Sequence, residues 1–179
     1  MGTAGCGKTS VAEETQKLLQ CDYFEGDQLH PAANVEKMSR GEPLDDDDRW
    51  PWLRLIRDKL VEKAAELSSL PPSNKRVILL TCSSLRKAYR DILREVSGDI
   101  ANLTFVYLEG SRELLQERIA GRKGHFMAAK MLDSQLATLE VPDASEDVIV
   151  ADIRMNPPTL ARWVVDEAKQ KGVLHDIQI

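Results

Sequence analysis

A chain of 179 residues, 42% hydrophobic and 30% charged, has ordinary globular composition; this excludes wholesale disorder and suits one domain spanning residues 1–179. The longest aliphatic run, residues 77–80, is far too short to cross a bilayer. A net charge of −5 argues against general nucleic-acid binding, which needs a positive surface, yet permits a locally basic pocket for a small anion.

In chain order, the first feature is Gly2-Thr3-Ala4-Gly5-Cys6-Gly7-Lys8-Thr9, which fits GxxxxGK[ST]. Glycines let backbone N–H groups curl around phosphate oxygens at a helix N-terminus. In such a loop Lys8 reaches the β/γ-phosphates and the Thr9 hydroxyl coordinates Mg²⁺. A Gly-rich turn with an exposed lysine is the plainer alternative. The helix predicted to follow covers 8–19, with Val11, Thr15, Leu18 and Leu19 inward. A phosphate loop ordinarily follows a buried strand, and only Met1 precedes Gly2. The sheet is therefore expected to lack its usual first strand, and a chain extended upstream by that strand is expected to melt higher.

A strand is predicted at 22–25, followed by Glu25-Gly26-Asp27-Gln28-Leu29-His30-Pro31. Carboxylates at the C-terminal ends of strands lie where open α/β sheets bind ligands. Asp27 could orient an acceptor hydroxyl and take its proton, or hold water on Mg²⁺, with Glu25 sharing the role. Asp27 could equally be a helix cap. The acidic run Asp45–Asp48 favours a helix N-terminus through the macrodipole, and the spacing of Leu53, Ile56, Leu60, Ala64 and Leu67 continues that helix. Arg49, just after the acidic run, has the fork to clamp a carboxylate through two hydrogen bonds. Residues 68–75, with Pro71-Pro72, read as a loop.

Further strands are predicted at 77–82, 103–108 and 148–153. Their lack of clean alternation suits a parallel sheet covered on both faces, so the βαβα order indicates an α/β fold with three layers. No Asp ends the second of the four predicted strands, which moves the metal-side carboxylate duty to Asp27. Arg118, Arg122, Lys123, Gly124 and His125 gather between helical stretches beside Gly121. They read as a basic lid over about residues 121–140, or as a solvated basic loop. A last helix is marked by Leu160, Trp163, Val164 and Ala168, and His175 in the tail reads as merely exposed. The cysteines Cys6, Cys21 and Cys82 form no CxxC or zinc spacing and no secretion leader is visible, so a reducing, cytoplasmic compartment is expected.

Taken together, Gly2–Thr9, the HPxxNxxKM segment from His30 to Met38, Gly41-Glu42-Pro43-Leu44, the DxDRxPWL segment ending in Pro51-Trp52-Leu53, the 82–94 segment and Arg122-Lys123-Gly124-His125-Phe126 resemble the gluconokinases. These are small phosphate-loop kinases related to the shikimate and adenylate kinases. The resemblance implies ATP- and Mg²⁺-dependent phosphorylation of the 6-hydroxyl of D-gluconate, a five-stranded parallel sheet, and a homodimer, with no nucleic acid or membrane partner. It places Gly2, Thr3, Ala4, Gly5, Cys6, Gly7, Lys8 and Thr9 on the nucleotide, with Arg118 and Arg122 in the lid. Lys8, Asp27 and Arg122 become the catalytic candidates, and Thr9 and Asp27 the metal candidates, Asp27 acting through water. Asp27, His30, Lys37, Arg49, Arg90, His125 and Gln135 become the gluconate candidates. Two residues depart from the family pattern: Glu25 stands where Asp is usual, and Arg86 where Lys is usual. A kinase for another small acid or a nucleoside, and a non-catalytic nucleotide-binding remnant lacking the first strand, are the competing readings.

Overall fold

The computed structural model describes residues 1–69, 76–96, 101–121 and 125–174, with residues 125–130 described by backbone alone. Helix α1 (Lys8–Leu19) buries Val11, Thr15 and Leu19, a four-residue spacing that places them on one face. The Thr15 hydroxyl is satisfied by the Val11 carbonyl at 2.8 Å, so its burial leaves no orphan donor. Strand β1 (Asp22–Glu25) follows, then a 3-10 turn (Gly26–Leu29) and helices α2 (Ala32–Ser39) and α3 (Asp46–Ser68).

Helix α3 begins at the acidic run for a local reason. The Asp45 side chain accepts from the Asp48 N–H at 3.0 Å, and the Asp48 side chain accepts from the Asp45 N–H at 2.9 Å. This reciprocal cap satisfies donors that a helix start otherwise leaves unpaired. Trp52, Leu53, Ile56, Leu60 and Ala64 form its buried face. Leu53 and Ile56 are wholly buried, each stabilising the fold by about 2 kcal/mol.

The remaining elements are β2 (Ile78–Thr81), α4 (Lys87–Arg94), β3 (Val106–Glu109), α5 (Arg112–Ala120), α6 (His125–Thr138), a 3-10 turn (Ala144–Glu146), β4 (Ile149–Asp152) and α7 (Pro157–Gln170). The strands form two parallel pairs. In one, Asp22 faces Ile78 and Glu25 faces Thr81; in the other, Val106 faces Ile149 and Glu109 faces Asp152. Among the described residues the strands thus form two pairs with a bridge between them, where the resemblance implies a single five-stranded sheet. Residues 1–2 form that bridge: the Met1 nitrogen donates to Val106 O, the Leu108 N–H donates to Met1 O at 3.0 Å, and the Gly2 N–H donates to Ser83 O at 3.1 Å. Beside the bridge lies a cavity of about 160 Å³, lined by Met1, Leu80, Cys82, Phe105 and Val106 among others.

Each pair carries its own apolar core. Trp52, Leu53, Ile56, Tyr89 and Leu93 pack at β1–β2, while Val11, Leu108, Leu115, Leu132 and Leu160 pack at β3–β4. Leu132 is fully buried, so the second half of α6 belongs to the core. Leu132 lies within the 121–140 span expected as a lid. Among the described residues no helix is long and apolar enough to cross a membrane.

Candidate active site

The loop before α1 has the backbone its glycines permit. Gly5 takes φ +83, and a Cβ there would lie 2.9 Å from the Leu115 carbonyl oxygen, so both conformation and space exclude a larger residue. Gly7 is the N-cap of α1 and supplies no capping side chain, leaving the first-turn amides available to an anion. Lys8 Nζ folds over the loop, donating to Gly2 O at 2.9 Å and Thr3 O at 3.1 Å. Arg118 reaches the same place: its Nη2 donates to Ile153 O at 2.5 Å, and its Nη1 would lie 3.8 Å from a Cβ on Gly7.

The strand end facing this loop carries two carboxylates in different settings. Glu25 Oε1 accepts from the Tyr23 hydroxyl at 2.5 Å, and the Thr9 side chain is among the groups that act on its carboxyl. Burial pushes the Glu25 carboxyl up, but hydrogen bonds from Tyr23, Thr9 and Thr81, with the nearby Lys8 charge, outweigh it and hold the pKa below its ordinary value. Asp27, two residues on in the 3-10 turn, keeps an exposed side chain, with His30 Nε2 4.0 Å away. Of the two carboxylates, Glu25 is the one that the Lys8 charge and the Thr9 side chain influence. Asp27 stays solvent-exposed at the turn.

Trp52 fixes that turn from below. Its indole N–H donates to Gly26 O at 2.8 Å, and its ring stacks on His30 at 4.0 Å between centroids. A Cβ on Gly26 would fall 2.7 Å from the Thr81 carbonyl oxygen, so the close approach of the turn to β2 requires glycine. His30 is mostly enclosed, and burial, helped by the Arg49 charge against the opposing pull of Asp27, lowers its pKa. Arg49 lies one helical turn before Trp52, donating to the Tyr89 hydroxyl at 3.4 Å.

The structure places three of the gluconate candidates within the protein's own contacts. Arg90 does not face the cleft: it is 0% exposed and grips Glu146 with Nε and Nη2, both at 2.7 Å. Its Nη1 donates to the Ser84 and Leu85 carbonyls, so it ties α4 to the turn before β4. Lys37 is held by Asp45 at 2.8 Å and Asp48 at 2.5 Å, beside the α3 cap. Gln135 lies on the nucleotide side, its Oε1 accepting from the Ala4 N–H at 2.6 Å. Arg122 and the His125 side chain lie outside the described residues, as do residues 70–75 of the predicted loop and His175.

Sequence reasoning missed the contribution of Tyr89 and Asp46. Tyr89 is buried and its hydroxyl donates to Asp46, which also pairs with Arg86 at 2.6 Å. Forty-three positions separate Asp46 from Tyr89, and no local pattern links them.

The family model for shikimate kinase matches residues 4–167. The thermoresistant gluconokinase of Escherichia coli K12 is 45% identical over 154 residues, covering 86% of this chain and 82% of its own length. The gluconokinase of Gluconobacter oxydans 621H is 47% identical over 165 residues, covering 92% and 86%. A solved gluconokinase structure from Sinorhizobium meliloti 1021 superposes with a TM-score of 0.80 at 38% identity, covering 96% of this chain and 90% of that one. Shared sequence over most of both partners, together with a phosphate loop set against an acidic strand end, makes this chain a member of the gluconokinase family, within the wider group that the shikimate kinase model describes.

Proposed function

We propose that this protein transfers the terminal phosphoryl group of ATP to the 6-hydroxyl of D-gluconate, giving 6-phospho-D-gluconate and ADP. The observation that carries this reading is the phosphate loop itself: Gly7 opens α1 without a capping side chain, and Lys8 folds over the loop onto Gly2 O at 2.9 Å and Thr3 O at 3.1 Å, with its charge reaching Glu25 at the end of β1. Amides from Gly5 to Thr9 and the Lys8 ammonium would hold the phosphates, and Arg118 would add charge from α5. In-line transfer relies mainly on positioning and electrostatics. Asp27 would align the acceptor hydroxyl and receive its proton as the new O–P bond forms and the bond to the ADP oxygen breaks. Trp52 and His30 keep the Asp27 turn in place, and Arg49 supplies a cation for the acid end of the substrate.

Thr9 and Glu25 offer hard oxygen donors, the chemistry that Mg²⁺ prefers, and Mg²⁺ sites commonly use one or two carboxylates together with substrate phosphates. When bound there, Mg²⁺ would neutralise charge on the phosphate oxygens. Cys6, Cys21 and Cys82 are buried free thiols, which suits a reducing compartment; a cytoplasmic homodimer belongs to the same proposal. The test is a coupled ADP-release assay with D-gluconate, shikimate, a nucleoside and no acceptor. Rapid gluconate-dependent release is expected. Equal release with every acceptor, or with none, would refute the assignment.

A further inference from the structure

Arg49, Asp46, Tyr89 and Arg86 form a cluster next to the Asp27 turn that exceeds what stability requires. Both guanidiniums lie over the Tyr89 ring, Arg49 at 5.6 Å and Arg86 at 5.9 Å from its centroid. Asp46 lies between them in charge: Arg86 Nη1 is 2.6 Å from one oxygen, Arg49 Nη1 is 3.8 Å from the other, and the Tyr89 hydroxyl donates to it. Exposed pairs such as Arg86–Asp46, in which both side chains are more than a third accessible, contribute only about 0–1 kcal/mol. Two arginines sharing one carboxylate also leave a surplus positive charge on a protein whose net charge is −5.

Each of these arginines commits only Nη1. Among the described residues, Nε and Nη2 of Arg49 and of Arg86 have no hydrogen-bond partner. That pair of nitrogens is the edge with which Arg90 grips Glu146 at 2.7 Å on both prongs. The same chain thus shows how this fork holds a carboxylate, and it leaves the matching nitrogens of Arg49 and Arg86 without a hydrogen-bond partner among the described residues.

We propose that Arg86 acts with Arg49 as the specificity-determining pair for the acid group of the acceptor, and that Asp46 is the placeholder carboxylate that holds both guanidiniums in position until that group arrives. This rests on the reading of the protein as a sugar-acid kinase, and it adds Arg86 to the residues that recognise the substrate, with Asp46 and Tyr89 as positioning residues. Arg49 lies one turn from Trp52, which holds Gly26 and His30, so the acid subsite adjoins the hydroxyl-activating turn. Tyr89 positions the pair without contacting the ligand.

The test compares D-gluconate with D-gluconamide, which keeps every hydroxyl and loses the charge. Binding to the intact chain is measured calorimetrically, separately from turnover. Arg86→Gln should weaken gluconate by about tenfold, equal to about 1.4 kcal/mol, while gluconamide binding stays as it was. Arg86→Lys, which keeps the charge but loses the fork, should fall between parent and Arg86→Gln. Asp46→Asn should tighten gluconate by removing the competing carboxylate. Equal weakening of acid and amide, or no change for either, overturns the proposal, as does weaker gluconate binding in a folded Asp46→Asn protein. Gluconate binding that depends on Arg86 in a chain that turns over no sugar acid would refute the kinase reading and leave this one standing. Absence of gluconate binding by the parent chain would overturn both.

Discussion

Replacing Glu146 by glutamine removes the carboxylate that neutralises Arg90 in the interior. Arg90 is 0% and the Glu146 side chain 4% exposed, and both prongs of the fork are 2.7 Å long. Arg94 adds a second contact at 3.0 Å. Breaking a buried pair from one side costs about 3–5 kcal/mol, because a charge is left buried without its partner. Glutamine keeps one oxygen acceptor, and Arg90 keeps the Ser84 and Leu85 carbonyls, so the lower end, about 3 kcal/mol, is expected. For a chain of this length each kcal/mol moves Tm by about 2–4 °C, giving a fall of about 6–12 °C by circular dichroism.

The pH dependence supplies an internal control. The hydrogen bond from Arg90, opposed by burial and supported by Arg94, holds the Glu146 pKa at about 2 against an ordinary 4.5. A carboxylate depressed in the folded state stabilises it above the unfolded value, and that stability disappears as pH falls through the folded value. The Tm gap between parent and Glu146→Gln should therefore be full above pH 4.5 and close as pH approaches about 2. Because Arg90 lies away from the cleft, the folded variant should bind gluconate as the parent does. A negligible Tm change at neutral pH, or a folded variant with impaired gluconate binding, would refute the structural role given to Arg90.

Lys8→Ala should lower kcat by about 10²-fold or more, since it removes a preorganised charge from the transferring group; near-normal turnover at saturating ATP in the coupled assay would reject that role. Asp27→Asn should reduce turnover with ATP affinity preserved, whereas Glu25→Gln should chiefly raise the Mg²⁺ concentration needed for half-maximal activity; a reversal of the two patterns would exchange their roles. Gly26→Ala should cost about 1–3 kcal/mol through overpacking, because its Cβ would meet the Thr81 oxygen at 2.7 Å and the Ile56 Cδ1 at 3.0 Å. An unchanged melting temperature would show that the turn moves aside freely.

Local chemistry made much of this protein legible from its residues. Helix α1 spans the predicted 8–19, and β1 spans the predicted 22–25, because glycine placement and apolar period act within a few residues of each other. The Asp45–Asp48 run likewise announces its helix, since capping is a contact three positions long. The other three strands are shorter than predicted, each having four residues, because apolar runs extend beyond the paired backbone. What residue identity could not decide was which cation serves which anion. Arg49, Arg86 and Arg90 are chemically alike, yet Arg90 is enclosed with Glu146, 56 positions away, while the other two share Asp46. Lys37 and Gln135 likewise bond at the α3 cap and at the phosphate loop, contacts that no local pattern announces. Sequence determines local conformation and the supply of charges through short-range sterics and capping. The pairing of those charges is decided by tertiary packing, because an ion pair depends on the distance and burial that the completed fold imposes.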